Sequence, residues 1–303
     1  MSDPICTVDS ASADERWIIT GASGQLGGHV VSLLASARAA GRVLALAGAG
    51  AVGVGVEVRR IPLQELVALR ACVRSWRPTH VVHLGAMTAV SDAFARPDEA
   101  HAINTVATRV LAEETGACGG RFVFSSTDMV FDGNAAPYRE TDAPSPPSVY
   151  GRTKVAAERA IVGMPHALAI RIPLMFGIPV AKTGTTFAAQ LAALRSGRPL
   201  KLFTDEHRTP IWLFDAARAV IALARSDETG LIHVAGPERL SRLEMIERVA
   251  RLLAIHEPKL EPISRLAISS AEPRPADLSL DGSRFLARFP QLAPQPMSAA
   301  MLR

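Results

Sequence analysis

The sequence predicts an α/β protein: a doubly wound parallel sheet with a smaller C-terminal lobe. Three observations carry that reading. Strand-like and helix-like segments alternate from residue 16 to Ile170, as successive βαβ units do. Hydrophobic residues make up 48% of the chain but aromatics only 5%, which suits helix-covered parallel strands better than an aromatic-rich sandwich. Glycine and hydroxyl motifs fall at Gly21, Leu84-Gly85 and Ser125-Thr127, where predicted strands end, and ligands of open parallel sheets bind beyond those ends.

Taken in order, Arg16 to Thr20 is a short apolar run closed by Gly21, a strand followed by a turn. Gln25 to Ala40 places Leu26, Val30, Leu33, Leu34 and Ala37 at the helical period, and Gly41 closes that helix. Val43 to Ala47 reads as the second strand. Leu63 to Trp76 reads as a helix stopped by Pro78, Val81 to Leu84 as a strand, Asp98 to Glu114 as a helix, and Arg121 to Ser125 as a strand. Past Ile170 the alternation loosens. Helical segments remain at Thr186 to Arg195, Phe214 to Arg225 and Arg242 to Ile255, with a short strand at Leu231 to Val234. The chain thus divides into a tail (1–15), a sheet domain (16–172) and a lobe (173–303) from which residues 208–235 return to the sheet domain.

Gly21-Ala22-Ser23-Gly24-Gln25-Leu26-Gly27 joins the first predicted strand to the first predicted helix. Small residues let the backbone turn tightly and approach a pyrophosphate, whose charge the unpaired N–H groups of a helix start can meet. The spacing is Gly-x-x-Gly-x-x-Gly, which a plain βα turn can share; the strand before it and the helix after it favour dinucleotide binding. An acidic residue about 20 positions on ordinarily holds the adenosine ribose. Here those positions are Ala47-Gly48-Ala49-Gly50, with no acid until Glu57 and no base until Arg59 and Arg60. Absence of the acid argues against strict NAD(H) use and tilts the expectation slightly toward NADP(H).

Tyr150 and Lys154 stand four residues apart, on one face of a helix. An ammonium beside a phenol would lower its pKa and yield a general acid for a carbonyl being reduced. Such pairs also occur by chance in helices; the nucleotide-binding turn upstream gives this one its meaning. Ser125-Ser126-Thr127-Asp128 follows a predicted strand. There the Thr127 hydroxyl can bond a substrate carbonyl, or simply close an ST-turn, and Asp128 can cap the turn or orient a substrate hydroxyl.

Composition removes other classes. Lys and Arg (33) against Asp and Glu (29) give +4, spread without a basic block, so nucleic acid is not the expected partner. Cys6, Cys72 and Cys118 cannot form a full disulfide set, and the acidic, core-less N-terminal segment does not read as a signal peptide, so a cytoplasmic protein is expected. The uncharged apolar run Val43 to Val56 contains four glycines and is too short for the ~20 residues of a membrane span. Of eight histidines, His80 and His83 fall on opposite faces of a strand and His101 pairs with Asp98 on a helix. His207 reads as an exposed loop residue with substrate contact as the alternative, and no catalytic metal is expected. The Ile246 to Ile255 stripe reads as core. Arg208, and less so Arg274, can bind a phosphate bidentately.

Thr20-Gly21-x-x-Gly24-x-x-Gly27, Thr127 and Tyr150-x-x-x-Lys154 together resemble the extended short-chain dehydrogenase/reductase superfamily. More narrowly, Gly24-Gln25-Leu26-Gly27, Ser126-Thr127-Asp128-Met129-Val130-Phe131-Asp132-Gly133, Pro137 to Asp142, Arg208-Thr209-Pro210 and Arg274-Pro275-x-x-x-Ser279-Leu280 resemble the dTDP-4-dehydrorhamnose reductases, over roughly residues 16–290. The resemblance implies a Rossmann-like domain holding NADP(H) or NAD(H) and a lobe closing over a nucleotide sugar, with hydride delivered to the C4 carbonyl of a dTDP-4-keto-6-deoxyhexose. It implies Tyr150 as proton donor, Lys154 as ribose ligand and tuner of Tyr150, and Thr127 as the carbonyl's hydrogen-bond partner. It further implies Gly21, Ser23, Gly24, Gln25, Leu26, Gly27, Leu84, Gly85, Ala86, Thr88, Asn104 and Ser125 around the cofactor, Asp128, Met129 and Arg208 around the substrate, and a homodimer. The chain departs from those reductases in having Met129 where they carry Tyr and no Trp within Arg171 to Gly177. The latter segment also resembles the regulatory β subunit of methionine adenosyltransferase, so a cofactor-binding subunit without catalysis is the main alternative, and a nucleotide-sugar epimerase a further one.

Overall fold

The computed structural model describes residues 14–39, 42–48, 50, 52, 55–181 and 184–302. The expected tail lies outside them except for Asp14 and Glu15, and Glu15 is anchored, 2.8 Å from Arg225. A seven-stranded sheet forms the centre: β1 (Trp17–Thr20), β2 (Val43–Leu46), β3 (Glu57–Arg59), β4 (His80–His83), β5 (Arg121–Thr127), β6 (Ala167–Ile172) and, after the short β7 (Met175–Phe176), β8 (Leu200–Phe203), β9 (His207–Arg208) and β10 (Ile211–Trp212), β11 (Gly230–His233). Its order is β11-β6-β5-β4-β1-β2-β3, with every neighbouring pair parallel. The order reverses between β1 and β4, which is where such a sheet opens a crevice for a ligand.

Both faces are covered. Trp17, Ile19, Val43, Ala45, Val123 and Leu168 point to the side of α1 (Gln25–Leu34) and α8 (Leu213–Ala224). Ile18, Leu44, Val81, Phe122, Phe124 and Ala169 point to the side of α2 (Leu66–Trp76), α5 (Ala107–Ala117) and α6 (Val149–Ile161). Each of the Val, Leu, Ile and Phe side chains among them contributes about 1.5–3 kcal/mol on burial. With both faces apolar, the hydrophobic pattern alone cannot set strand register. Polar pairs do it instead: Thr20 and His83 are register partners, and their side chains bond at 2.6 Å.

The lobe has its own core, in which α7 (Thr186–Arg195) and α9 (Arg242–Leu252) bring Phe187, Leu191, Ile246 and Val249 together. The expected Ile246 to Ile255 stripe belongs to it. A capping box of Ser241 and Glu244 starts α9. Two small pairings bind the lobe together, β12 (Leu240–Ser241) with β9 and β13 (Leu260–Ile263) with β8. Residues 213–233 return to the sheet domain as α8 and β11, and α10 (Ser283–Arg288) sets Phe285 into the same core.

Several elements differ from expectation. The first helix ends as α-helix at Leu34 and continues as a π-turn over Ala35–Ala39; its expected closure at Gly41 lies outside the described residues. α2 starts at Leu66, after a turn in which the Glu65 N–H donates to the Pro62 carbonyl at 3.0 Å, and Leu63 and Gln64 line the cleft. The expected helix Asp98 to Glu114 is present as one continuous run, α4 (Pro97–His101), a π-turn over Ala102–Val106, and α5, and α3 (Val90–Ala95) precedes it. Strand β5 runs two residues further than expected, so Ser126 and Thr127 sit on the strand rather than past it.

Candidate active site

The C-terminal ends of β1, β4, β5 and β6 open into one cleft of about 930 Å³. At its floor, Gly21 turns the chain out of β1 with φ +64°, in contact with the next turn: a Cβ on it would stand 2.6 Å from the Gly85 nitrogen. A Cβ on Gly27 would stand 2.1 Å from the Gly21 carbonyl oxygen. Both glycines are therefore obligatory for the loop's shape. No side chain caps α1 at Gly24, so its first N–H groups face the cleft unpaired. An uncapped helix start in a backbone-tight cradle fits a dinucleotide pyrophosphate.

Thr20 joins the two turns. Its Oγ1 accepts from the Leu84 and Gly85 N–H groups, both at 3.1 Å, so its own hydrogen goes to His83 Nδ1. His83 then carries its hydrogen on Nε2 and donates to Thr108 Oγ1 at 3.0 Å; Thr108 in turn donates to the Asn104 carbonyl at 2.7 Å. Burial, aided by the charge of Lys154, pushes His83 down to about 3, which keeps this relay neutral.

Gly21, Ser23 to Gly27, Leu84 to Ala86, Thr88 and Ser125 all line the cleft. Asn104 does not: it is buried behind the wall. Its amide accepts from Met87 N–H (2.8 Å) and donates to the Met87 carbonyl (3.1 Å) and to Thr153 Oγ1 (3.0 Å), tying the turn after β4 to α6. It braces the cleft wall from behind rather than lining it.

Helix α6 begins where Ser148 accepts from the Gly151 N–H and Glu272 accepts from the Val149 N–H. That start turns Tyr150 and Lys154 to the cleft, both nearly fully buried. Lys154 Nζ donates to the Ser125 carbonyl and lies 4.1 Å above the Phe124 ring. Burial pushes it down to about 7, with the Glu158 carboxylate one turn on opposing. The expected lowering of Tyr150 by Lys154 is not what this geometry gives. Burial and the neighbouring charge of Asp128 raise the phenol above its ordinary value, and only the Thr127 hydroxyl acts in the other direction. The reason is that the ammonium is engaged at Ser125 while the phenol stands in a dry wall near a carboxylate.

Thr127 Oγ1 donates to Asp128 Oδ1 at 3.0 Å and accepts from the Met129 N–H at 3.2 Å, an N-cap as well as a cleft group. Asp128 and Met129 also line the cleft. Burial raises Asp128, and Arg208 opposes that shift. Arg208 reaches the cleft wall, but its guanidinium is committed: 3.2 Å to Asp128, 3.4 Å to Glu206 and 2.7 Å to the His207 carbonyl. The expected bidentate grip on a phosphate is replaced by a buried ion cluster. Arg242, which the sequence did not single out, bonds Glu206 at 2.9 Å, keeps a quarter of its side chain exposed and lines the cleft. With Arg274 3.9 Å from Glu206, three guanidiniums face two carboxylates, an excess of one positive charge. His207 is half-buried on β9 rather than exposed in a loop. Among the described residues no group of three His, Cys, Asp or Glu could hold a metal ion, and no helix is long and apolar enough to cross a membrane.

The RmlD substrate binding domain matches residues 15–299. The chain belongs to the RmlD substrate binding domain family. It is 32% identical over 281 residues to the dTDP-4-dehydrorhamnose reductase of Streptomyces griseus, covering 90% of this chain and 87% of that protein. It is 27% identical to methionine adenosyltransferase 2 subunit beta of Xenopus tropicalis, over 89% of this chain and 81% of that one. The solved structure of a hypothetical dTDP-4-dehydrorhamnose reductase of Sulfolobus tokodaii superposes with a TM-score of 0.79 at 29% identity, covering 89% of this chain and 93% of that chain. In this RmlD-family chain the groups that sequence reasoning missed are His83, Arg242 and Glu158. The signal for the first two was charge or imidazole at a predicted element end; for Glu158 it was the spacing of four from Lys154.

Proposed function

We propose that this chain is an NAD(P)H-dependent reductase of the C4 carbonyl of a nucleotide-linked deoxysugar, a dTDP-4-keto-6-deoxyhexose. The observation that carries the reading is one cleft holding both the uncapped start of α1 and the side chains of Thr127, Tyr150 and Lys154. When bound, the nicotinamide cofactor supplies the hydride for the carbonyl carbon. Tyr150 supplies the proton for the carbonyl oxygen. Its raised pKa keeps the phenol protonated at neutral pH, the state a donor needs. Thr127 turns its hydroxyl from Asp128 to the carbonyl oxygen and helps hold that oxygen near Tyr150. Lys154, fixed at the Ser125 carbonyl, holds the nicotinamide ribose. The positive excess around Arg208, Arg242 and Arg274 suits the diphosphate of the sugar nucleotide. The cofactor is NADPH in preference to NADH, because residues 43–56 offer the adenosine ribose no carboxylate.

The test mixes purified protein with NADPH or NADH and the keto sugar nucleotide and follows nicotinamide absorbance. Turnover is expected, with Tyr150→Phe losing about 10²–10⁴-fold in kcat. Dinucleotide binding with no turnover above that variant would favour a non-catalytic, cofactor-binding subunit instead.

A further inference from the structure

The start of α6 is held from the far end of the chain. Ser148 Oγ meets the Gly151 N–H at 3.1 Å. The Val149 N–H, one residue before Tyr150, donates instead to Glu272 Oε1 at 2.6 Å, across 123 positions of sequence. A carboxylate at a helix start gains both a charge-assisted bond and the favourable end of the helix dipole. The Glu272 side chain is only 6% exposed, and among the described residues its Oε2 has no hydrogen-bond partner. Arg152 stands 3.8 Å from Oε1, with half of its own side chain in solvent. The loop that carries Glu272 is tied to the lobe. Asp205 accepts from Ser264 Oγ (2.6 Å) and from the Arg265 N–H (2.7 Å), and Arg265 Nη1 donates to the Arg274 carbonyl at 3.1 Å. Arg274, two residues past Glu272, belongs to the positive cluster at the substrate end of the cleft. On its other side the first turn of α6 has no slack. A Cβ on Gly151 would collide with the Met129 carbonyl, and Tyr150 packs in one apolar cluster with Met87 and Met129.

We infer that Glu272 is a positioning residue, through which the C-terminal lobe holds the first turn of α6 and so aims the Tyr150 hydroxyl at the reacting carbonyl. The inference rests on the reductase reading above and adds a residue to it. Tyr150 directly follows the peptide that Glu272 grips, so loosening that peptide moves the phenol. Lys154 lies one turn further on and has its own anchor at the Ser125 carbonyl. Loss of Glu272 therefore spoils proton delivery and spares the hold on the dinucleotide. A misplacement of about 1 Å at a reacting group is enough to cost about 10²-fold in rate.

The experiment compares the wild type with Glu272→Ala, Glu272→Asp and Glu272→Gln in the full chain. It measures kcat for the keto sugar nucleotide with NADPH, NADPH affinity by calorimetry, and Tm. Glu272→Ala is expected to lose about 10- to 100-fold in kcat while NADPH affinity stays within about twofold. Glu272→Asp keeps the charge but draws the oxygen back by one methylene; it is expected to lose kcat too, so the test does not rest on a single variant. Glu272→Gln keeps an acceptor for the Val149 N–H, and since Oε2 accepts no bond, it should stay within about threefold of the wild type. Wild-type kcat in Glu272→Ala, with only Tm lowered, overturns the inference and leaves the reductase reading intact. A Glu272→Gln loss as large as that of Glu272→Ala, or NADPH affinity falling in step with kcat, overturns it as well. A wild type that binds NADPH but does not turn over overturns the reductase reading and this inference together.

Discussion

Arg171 holds Glu158 by two hydrogen bonds, 3.0 Å from Nε and 2.8 Å from Nη2, in a spot where both side chains are almost wholly buried. The pair lies under the helix that carries Tyr150 and Lys154 and joins it to β6. Ser126 on β5 also donates to Glu158, Arg171 meets His233 of β11 at 3.3 Å, and the guanidinium lies over the Phe131 ring. One ion pair therefore fixes α6 against three strands.

Removing one partner leaves the other charge buried and unpaired. Glu158→Leu is expected to destabilise the protein by about 3–5 kcal/mol, and Arg171→Met similarly. Replacing both by apolar residues of similar size, Glu158→Leu with Arg171→Met, should cost much less than the sum of the two single changes. Urea unfolding of the three variants measures the coupling. Additive losses would mean that the two side chains act independently.

Lys154 carries its charge at a cost that depends on pH. Its folded value is about 7, against an ordinary value of 10.5. Below pH 7 the lysine is protonated in both folded and unfolded chains, and the folded state bears the full penalty of the buried charge. Between the two values the unfolded chain binds the extra proton, so stability rises with pH; above 10.5 both states are neutral. Lys154→Met removes the penalty. The variant should therefore gain most on the wild type at about pH 6, and the advantage should shrink by a few kcal/mol toward about pH 10. Unfolding curves at both pH values read this directly. An advantage that is the same at both would assign the pH dependence to another group.

The parts of the site that were legible in the sequence are those made of near neighbours. The Gly21 to Gly27 turn, the Tyr150 and Lys154 spacing and the hydroxyls of Ser125 to Thr127 are each written in a few consecutive residues. What stayed hidden depends on pairing across the fold. Asn104 looked like a cofactor residue, yet its role follows from Met87 and Thr153, which the sheet brings to it. The raised pKa of Tyr150 follows from burial and from Asp128, not from the lysine four residues on. β6 escaped because Arg171 interrupts its apolar run, and only Glu158 makes that arginine tolerable in a core. β3 escaped because it is three residues long with two exposed side chains, held by β2 rather than by its own pattern.

Arg208 separates two readings of the cleft's substrate end. If its guanidinium is a strut between Asp128 and Glu206, then Arg208→Met strips the compensation from two buried carboxylates. Asp128, already raised by burial, loses the arginine that opposes the shift and climbs further. The Thr127–Asp128 hydrogen bond then weakens, because the neutral carboxyl form that this shift favours accepts less strongly than a carboxylate. Stability should fall by about 3–5 kcal/mol, seen as a Tm lowered by several degrees, with dinucleotide affinity retained. If the arginine instead gripped the substrate's diphosphate, Tm would hold and only KM for the sugar nucleotide would rise. The distances of 3.2 Å to Asp128 and 3.4 Å to Glu206 place the expectation on the strut, with Arg242 as the cation left free enough to meet the phosphate. Thermal melts together with KM for Arg208→Met and Arg242→Met should show the two arginines moving different quantities: Tm for the first, KM for the second.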